Sequence, residues 1–169
     1  AFDNGTSADL ACTGITPAET AQVRVFHASP TAPSVDVYAN GAGPVFSALA
    51  YLSASQYASV DAGDYTFDVT VAGDQIAVLS ADVTLSANSV STVVAYGPPD
   101  SLSAVILDDL GTAPAAGNIQ VRLGHLSAGV GPVNVAASAG GVVLPLVDGF
   151  TFSEVTDGFE VPAAAYDAL

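Results

Sequence analysis

The chain has 169 residues, half of them apolar, and its 17 acidic residues against two arginines give a formal net charge of −15 at pH 7. The apolar content is high enough for a core, so we expect a folded chain of one or two domains despite the charge. The negative field repels nucleic acids and anionic membrane surfaces, which excludes both as partners. No apolar run approaches the ~18 residues that a membrane helix needs, so no membrane span is predicted.

Residues 1–20 are predicted to form an N-terminal arm. They are small and polar, without a sustained hydrophobic period, so their order would depend on docking. The single cysteine, Cys12, has no partner for an intrachain disulfide and is either an idle thiol or an intermolecular contact. Asn4-Gly5-Thr6 matches a glycosylation sequon. The start at Ala1, without a methionine, fits a mature secreted protein after signal-peptide removal, although a trimmed chain would look the same.

Alternation of apolar and polar residues begins at Gln22 and indicates short β-strands. Turn signals recur about every 8–12 residues as far as Leu107, and no helical period of useful length interrupts them. One such turn is predicted at Asp61–Asp64, and a bulge is predicted near Ser80, where the apolar positions change parity. We predict about eight strands in this part of the chain, among them 22–29, 35–38, 45–51, 65–71, 75–85, 90–96 and 102–107.

A repeated motif organises the chain. Gln22–Ser29 and Gln120–Ser127 share the pattern Q-V-R-x-x-H-x-S, 98 positions apart, and together they contain both arginines and both histidines of a chain without lysine. We infer an internal duplication and predict an all-β fold of tandem β-sandwich domains, over residues 21–112 and 119–169, with a linker at 113–118.

The second repeat is predicted to be incomplete. Residues 139–146 are expected to take the place of 41–49, and 161–166 the place of 60–65. The counterpart of roughly Asp68 to Asp108, about half a sandwich, is absent from the sequence.

The two arginines are interpreted as structural residues. A half-buried arginine needs a carboxylate and further acceptors, and Asp36 lies one short connection away from Arg24. We therefore expect a clamp between the first two strands, with a ligand-binding arginine as the alternative. In the second repeat Asn134 stands in place of Asp36, so Arg122 is expected to find another carboxylate.

The two histidines are also interpreted as structural. His27 and His125 each share a strand face with core valines, where hydrogen bonds to turn backbone are expected. One histidine per repeat is too few for a zinc site. His27, Ser29 and Asp36 include the residue types of a hydrolytic triad, but no nucleophile elbow or oxyanion loop accompanies them. We therefore predict no enzyme and no catalytic, cofactor-binding or metal-binding residue.

Two kinds of ligand site stay open as alternatives. Clustered turn carboxylates could contribute to calcium sites, although ordinary turn residues are the simpler interpretation; they are Asp61, Asp64, Asp108 and Asp109. Exposed tyrosines could form a strip that binds glycans, although such residues more often pack at sheet edges; they are Tyr38, Tyr51, Tyr57 and Tyr96.

Arg24–Tyr38, followed by Leu49–Tyr51 and Val60–Tyr65, resembles the DUF4397 family of secreted or surface-exposed bacterial and archaeal domains, which commonly occur in tandem. The resemblance covers residues 22–110 well and 119–169 more loosely, since Ala128 and Asn134 replace the proline and aspartate of the first repeat. It implies an immunoglobulin-like sandwich and an extracellular setting, and it implies no catalytic residue.

Half a sandwich would expose strand edges and an apolar face, which invites strand addition. Either the sequence belongs to a longer protein, or another copy fills the gap, with the N-terminal arm as the natural donor and Cys12 reinforcing the joint. We therefore predict a secreted or cell-surface structural or adhesive protein, with itself as partner in a homopolymer or with cell-surface or matrix components as partners. The alternative is an extracellular module that binds glycan or calcium.

Overall fold

The computed structural model describes residues 19–168, and this part of the chain is all-β, with thirteen strands in four sheets and no helix. The strands are β1 (Thr20–His27), β2 (Val35–Ala39), β3 (Ala42–Leu49), β4 (Ala58–Asp61), β5 (Gly63–Val71), β6 (Ala77–Leu85), β7 (Val90–Tyr96), β8 (Ser103–Asp108), β9 (Asn118–Val121), β10 (Val133–Ala139), β11 (Val142–Phe150), β12 (Phe159–Pro162) and β13 (Asp167–Ala168). The sequon at Asn4 and the thiol of Cys12 lie outside the described residues. No helix that could cross a membrane occurs among residues 19–168.

The first segment, residues 20–108, contains two four-stranded sheets with the orders β4-β1-β7-β8 and β3-β2-β5-β6. Period-2 alternation places Val23 and Val25 on the inner face of β1, where they are buried, and Arg24 and Phe26 on the outer face, where they are half-buried. The inner faces of both sheets contribute to one hydrophobic core, whose buried members are Ala21, Val23, Val25, Val35, Val37, Leu49, Phe67, Val69, Val83, Leu85 and Val93.

Strand β7 lies at the centre of the first sheet and is the most deeply buried strand, since all its residues after Val90 are buried. It pairs with β1 in parallel over six residues, from Gln22 opposite Val90 to His27 opposite Ala95. It pairs with β8 in the antiparallel sense on its other side.

The seven predicted strands agree with β1, β2, β3, β5, β6, β7 and β8 within three residues at each end. The turn predicted at Asp61–Asp64 is wrong, because β4 and β5 are separated by Ala62 alone and the chain passes there from one sheet to the other. The hydroxyl of Tyr65 holds this corner by donating to the carbonyl of Asp61 at 2.9 Å. The register irregularity of β6 lies at Val78, two residues before the predicted bulge.

The second segment, residues 118–168, repeats the start of this architecture. β9 pairs with β12 as β1 pairs with β4, and β10 pairs with β11 as β2 pairs with β3. Hydrogen bonds repeat as well: the amide of His27 donates to the carbonyl of Ser53 at 3.0 Å, and that of His125 to the carbonyl of Glu154 at 2.9 Å. The repeated motif is therefore accompanied by a repeated structure.

The registers correct the expected alignment of the two repeats. Val133 pairs with Phe150 as Val35 pairs with Leu49, so β11 takes the place of β3. The counterpart of residues 41–49 that the sequence predicted, residues 139–146, therefore starts too early in the chain. Both strands of the second hairpin are longer than those of the first, which shifts the alignment: β10 has seven residues against five in β2, and β11 has nine against eight in β3.

The two segments touch each other through side chains. The ring of Phe152 lies edge-on to that of Tyr96, with 5.8 Å between their centroids. The guanidinium of Arg122 donates to the carbonyl of Asp108 at 2.7 Å.

Candidate functional site

His27 ends β1 in a fully enclosed corner, with 1% of its surface exposed. Its Nε2 lies 3.1 Å from the carbonyl of Pro33, and its Nδ1 accepts from the amide of Ser29 at 3.3 Å. These partners require the neutral tautomer that carries its proton on Nε2. The hydroxyl of Ser29 donates to the carbonyl of Gly97, which follows β7, at 2.5 Å. The imidazole therefore binds turn backbone, as the sequence predicted.

His125 occupies the same corner of the second segment and is 7% exposed. Its Nε2 lies 3.3 Å from the carbonyl of Gly131, and its ring lies beside those of Phe150 and Phe152. Ser127, the counterpart of the buried Ser29, is exposed. The corner is therefore built from the same parts but is open on one side.

The predicted clamp between Arg24 and Asp36 is wrong. Arg24 lies on the outer face of β1, where its Nε donates to the hydroxyl of Thr92 at 2.8 Å. Its guanidinium lies 4.6 Å from the centre of the Tyr57 ring and 4.0 Å from a carboxylate oxygen of Asp109. Because the parallel pairing of β1 and β7 joins residues 68 positions apart, no local sequence pattern indicated these partners.

The carboxylate of Asp36 lies in the other sheet and accepts two backbone hydrogen bonds. The amide of Gly73 donates to Oδ2 at 2.9 Å and the amide of Ala48 to Oδ1 at 2.7 Å. These two bonds, that of Gly73 first, hold the pKa of Asp36 below its ordinary value. In the second segment Asn134 keeps one such bond, since its Oδ1 accepts from the amide of Gly149 at 2.7 Å.

Arg122 was expected to pair with a carboxylate. Among the described residues, its guanidinium donates to the backbone carbonyl of Asp108 instead.

Around Arg24, partial burial and the hydrogen bond to Asp109 raise the pKa of Tyr57. Arg24, Tyr57 and Asp109 form a cluster on the outer face of the first sheet.

The three residue types of a hydrolytic triad are not assembled as one. The hydroxyl of Ser29, a residue that is 0% exposed, points to the carbonyl of Gly97 and not to the imidazole of His27. The carboxylate of Asp36 is engaged by the amides of Ala48 in β3 and of Gly73 in the turn after β5.

The tyrosines considered for glycan binding are dispersed over the structure. Tyr96 is buried, and Tyr38 lies on β2 in the other sheet, so the four tyrosines form no continuous strip. Between residues 19 and 168, no group of three or more His, Cys, Asp or Glu side chains is arranged to hold a metal ion.

The open edge of β9 is the feature that distinguishes the second segment. In the first, Gln22 and Ala28 donate their amides towards β7, to the carbonyls of Ser89 at 2.8 Å and Ala95 at 2.7 Å. The backbone amides of even-numbered residues along β1 therefore point towards β7. In the second segment the equivalent amides point towards the edge of β9, where the sheet β12-β9 ends within the described part of the chain.

An apolar groove of ≈ 340 Å³ lies beside this edge, lined by residues that include Leu123, His125, Val135 and Phe150. Their counterparts in the first segment are all buried; they are Val25, His27, Val37 and Leu49. In the second segment, the described residues supply no counterpart of β6 or β7. The sequence did not single out Phe152 as a residue of this corner. Its position in the second repeat is equivalent to that of Tyr51 in the first, and this equivalence could have indicated it.

Comparison with known proteins gives one family. The model of a domain of unknown function (DUF4397) matches residues 21–136, more than half of the chain, from β1 into β10. No curated protein matches the chain.

Proposed function

The chain belongs to the DUF4397 family, and from that starting point we propose that it is a secreted or cell-surface, non-enzymatic structural protein. Its segments are immunoglobulin-like β-sandwich modules, and a strand from a neighbouring copy of the chain completes the second module. Because such a heterologous contact need not close on itself, its repetition joins copies head to tail into an extracellular filament.

The open edge of β9 is the observation that carries this proposal. β1 has the parallel strand β7 on one side, whereas β9 ends its sheet at the corresponding place within residues 19–168. An unpaired edge beside an apolar groove is a template for an added strand. Main-chain hydrogen bonds supply affinity in that mode of binding, and pockets for alternate side chains set the register.

A contact within the chain supports a second copy as the partner. Phe152 covers Tyr96 across the two segments. The counterpart of Phe152 in the first segment is Tyr51, because Leu49 and Phe150 hold equivalent register positions two residues before them. Tyr51 is 43% exposed. It is therefore accessible to a second copy of the chain.

Composition and site chemistry support the remaining parts of the proposal. A surface with a formal charge of −15 and no lysine suits a saline extracellular setting, where salt screens self-repulsion. The hydroxyl of Ser29 and the carboxylate of Asp36 are occupied by backbone groups, which favours a structural role over a hydrolytic one.

Substitutions at Gly124 test the proposal. Its amide faces the open edge, and a side chain added there meets Val155 and Leu126 only at ordinary contact distances of 3.5–3.8 Å. Gly124→Pro removes the edge amide, whereas the matched control Gly124→Ala keeps it. We expect the wild-type chain and Gly124→Ala to form oligomers or fibres in size-exclusion chromatography and negative-stain microscopy, and Gly124→Pro to stay monomeric with unchanged circular dichroism. A wild-type chain that stays monomeric at every concentration would contradict the proposal.

A further inference from the structure

We propose that the first segment binds one neutral hexose ring of a glycan in a groove on the outer face of the sheet β3-β2-β5-β6. The groove has a volume of ≈ 350 Å³ and is lined by residues that include Tyr38, Asp68, Thr70 and Gln75. Its size falls within the range of about 300–1,000 Å³ that small-molecule sites occupy. The site belongs to the first segment, so it is independent of the strand addition proposed at β9.

Strand alternation places the polar residues of the groove on one face of the sheet. Phe67 and Val69 of β5 belong to the hydrophobic core. Asp68 and Thr70 alternate with them along the strand and therefore lie on the outer face. Antiparallel pairing with β2 sets Tyr38 directly opposite Asp68. A carboxylate, a hydroxyl and an aromatic ring are thereby brought together.

The hydroxyl of Thr70 is the observation that indicates a ligand. Thr70 is 2% exposed, and within residues 19–168 its Oγ1 has no hydrogen-bond partner. A buried hydroxyl without a partner destabilises a fold, so a ligand hydroxyl that bonds to it is favoured. Rotation about the Cα–Cβ bond exchanges the hydroxyl with the methyl group and turns the oxygen towards the groove.

Asp68 and Gln75 add further hydrogen-bonding groups. The Oδ1 of Asp68 accepts from the hydroxyl of Ser80 at 2.5 Å, which leaves Oδ2 for a donor on the ligand. The side chain of Gln75 is exposed at the rim, and its amide both donates and accepts.

Two glycines of the hairpin between β2 and β3 keep the ring of Tyr38 uncovered. Gly41 and Gly43 both line the groove. A Cβ atom at Gly43 would lie 3.5 Å from Cδ1 of Tyr38. Because neither position carries a side chain, the apolar C–H face of a sugar ring has room to pack on the tyrosine.

The chemistry of the groove favours a neutral ligand. Asp68 and the formal net charge of −15 repel anions. A divalent cation prefers several oxygen ligands, and Asp68 offers it one free carboxylate oxygen. The threonine hydroxyl, the tyrosine hydroxyl and the glutamine amide each donate and accept hydrogen bonds, as the hydroxyls of a sugar do.

Titration with the methyl glycosides of glucose, galactose and mannose, followed by ligand-observed NMR, tests the site. A single ring buries little surface, so we expect at least one of them to bind with a Kd of about 1–10 mM. Methylamine, titrated in the same way, is the probe for a cationic ligand and should not bind in this range.

Thr70→Val separates ligand binding from a structural role. The substitution keeps the shape of the side chain and removes a hydroxyl without a partner, so the melting temperature should not fall. Glycoside binding should nevertheless weaken about fivefold or more. The matched control is Thr66→Val, on the same face of β5. Its hydroxyl donates to Asp82 at 2.8 Å outside the groove, so glycoside binding should stay within about twofold of the wild type.

Asp68→Asn tests the free carboxylate oxygen. Asparagine still offers an acceptor to the hydroxyl of Ser80 but places an N–H donor where Oδ2 was. Binding should weaken about fivefold or more, with circular dichroism unchanged.

Three results would overturn the inference. They are a wild type that binds none of the glycosides at about 100 mM, glycoside binding that Thr70→Val and Asp68→Asn weaken no more than Thr66→Val does, and binding of methylamine in place of the glycosides. The proposed function is read separately, by size-exclusion chromatography, where Thr70→Val should form the same oligomers as the wild type.

Discussion

Replacing His27 by alanine should destabilise the first segment strongly, and the size of the effect follows from its enclosed corner. The substitution leaves the amide of Ser29 and the carbonyl of Pro33 without their imidazole partners, and Ser29 is 0% exposed. A buried polar group without a partner costs ~1–3 kcal/mol. Since the lost ring also leaves a cavity beside Tyr51, we expect a total of about 3–5 kcal/mol.

His125→Ala is the matched comparison, because it removes the same side chain from the more open corner. His125 makes one ring hydrogen bond, 3.3 Å to the carbonyl of Gly131, and the neighbouring Ser127 is exposed. Water can replace the lost partner there, so we expect a cost of about 1–2 kcal/mol. The difference between the two variants, about 2–3 kcal/mol, is a large fraction of the stability of a domain.

Urea unfolding measures this difference, followed by circular dichroism and by tyrosine fluorescence, since the chain has no tryptophan. The two segments can unfold in separate transitions, so each variant should be fitted for both. A His27→Ala variant that is no less stable than His125→Ala would refute the argument from backbone hydrogen bonds. Loss of a hydrolytic activity in His27→Ala without loss of stability would instead favour a hydrolase.

The remaining predictions concern single groups of the same structure. Folding lowers the pKa of Asp36, so the ionised carboxylate stabilises the fold above its unfolded pKa of about 3.9. That stabilisation is lost as the pH falls through the folded pKa of Asp36. Asp36→Asn should therefore lower the melting temperature at pH 7 and flatten the decline of the melting temperature between about pH 5 and 2. Tyr57 has a raised pKa, so spectrophotometric titration should show a late tyrosine ionisation that Tyr57→Phe removes, and an unchanged titration would contradict the cluster with Asp109. Ser29→Ala should cost about 1 kcal/mol and Ser127→Ala less than about 0.5 kcal/mol in the unassembled chain, measured by urea unfolding, and equal costs would contradict the difference between the two corners. Millimolar calcium should leave the melting temperature unchanged, and a sharp rise would favour the calcium-binding alternative.

Local pattern was enough to predict much of the fold. Strand positions follow from period-2 alternation, which is a property of neighbouring residues, and the predicted strand 90–96 coincides with β7. The backbone partners of His27 also lie close in sequence, six residues away at Pro33 and two at Ser29. An interaction across so short a loop can be read from the motif itself.

The partners of Arg24 illustrate what local pattern could not predict. Asp36 is nearer in sequence, but alternation directs Arg24 to the outer face, and pairing with a strand 68 residues away brings Thr92 to it. The passage of the chain between sheets at Ala62 was likewise mistaken for a turn.

The sequence by itself determined the all-β class, the repeat and the backbone-bound histidines, because each depends on residues close together in the chain. The tertiary structure decided which strands are neighbours, and so which edge of β9 is unpaired within residues 19–168 and what Arg24 contacts. The physical reason is that strand order depends on burying the apolar faces of distant segments together, and a strand presents the same alternation whichever neighbour it has.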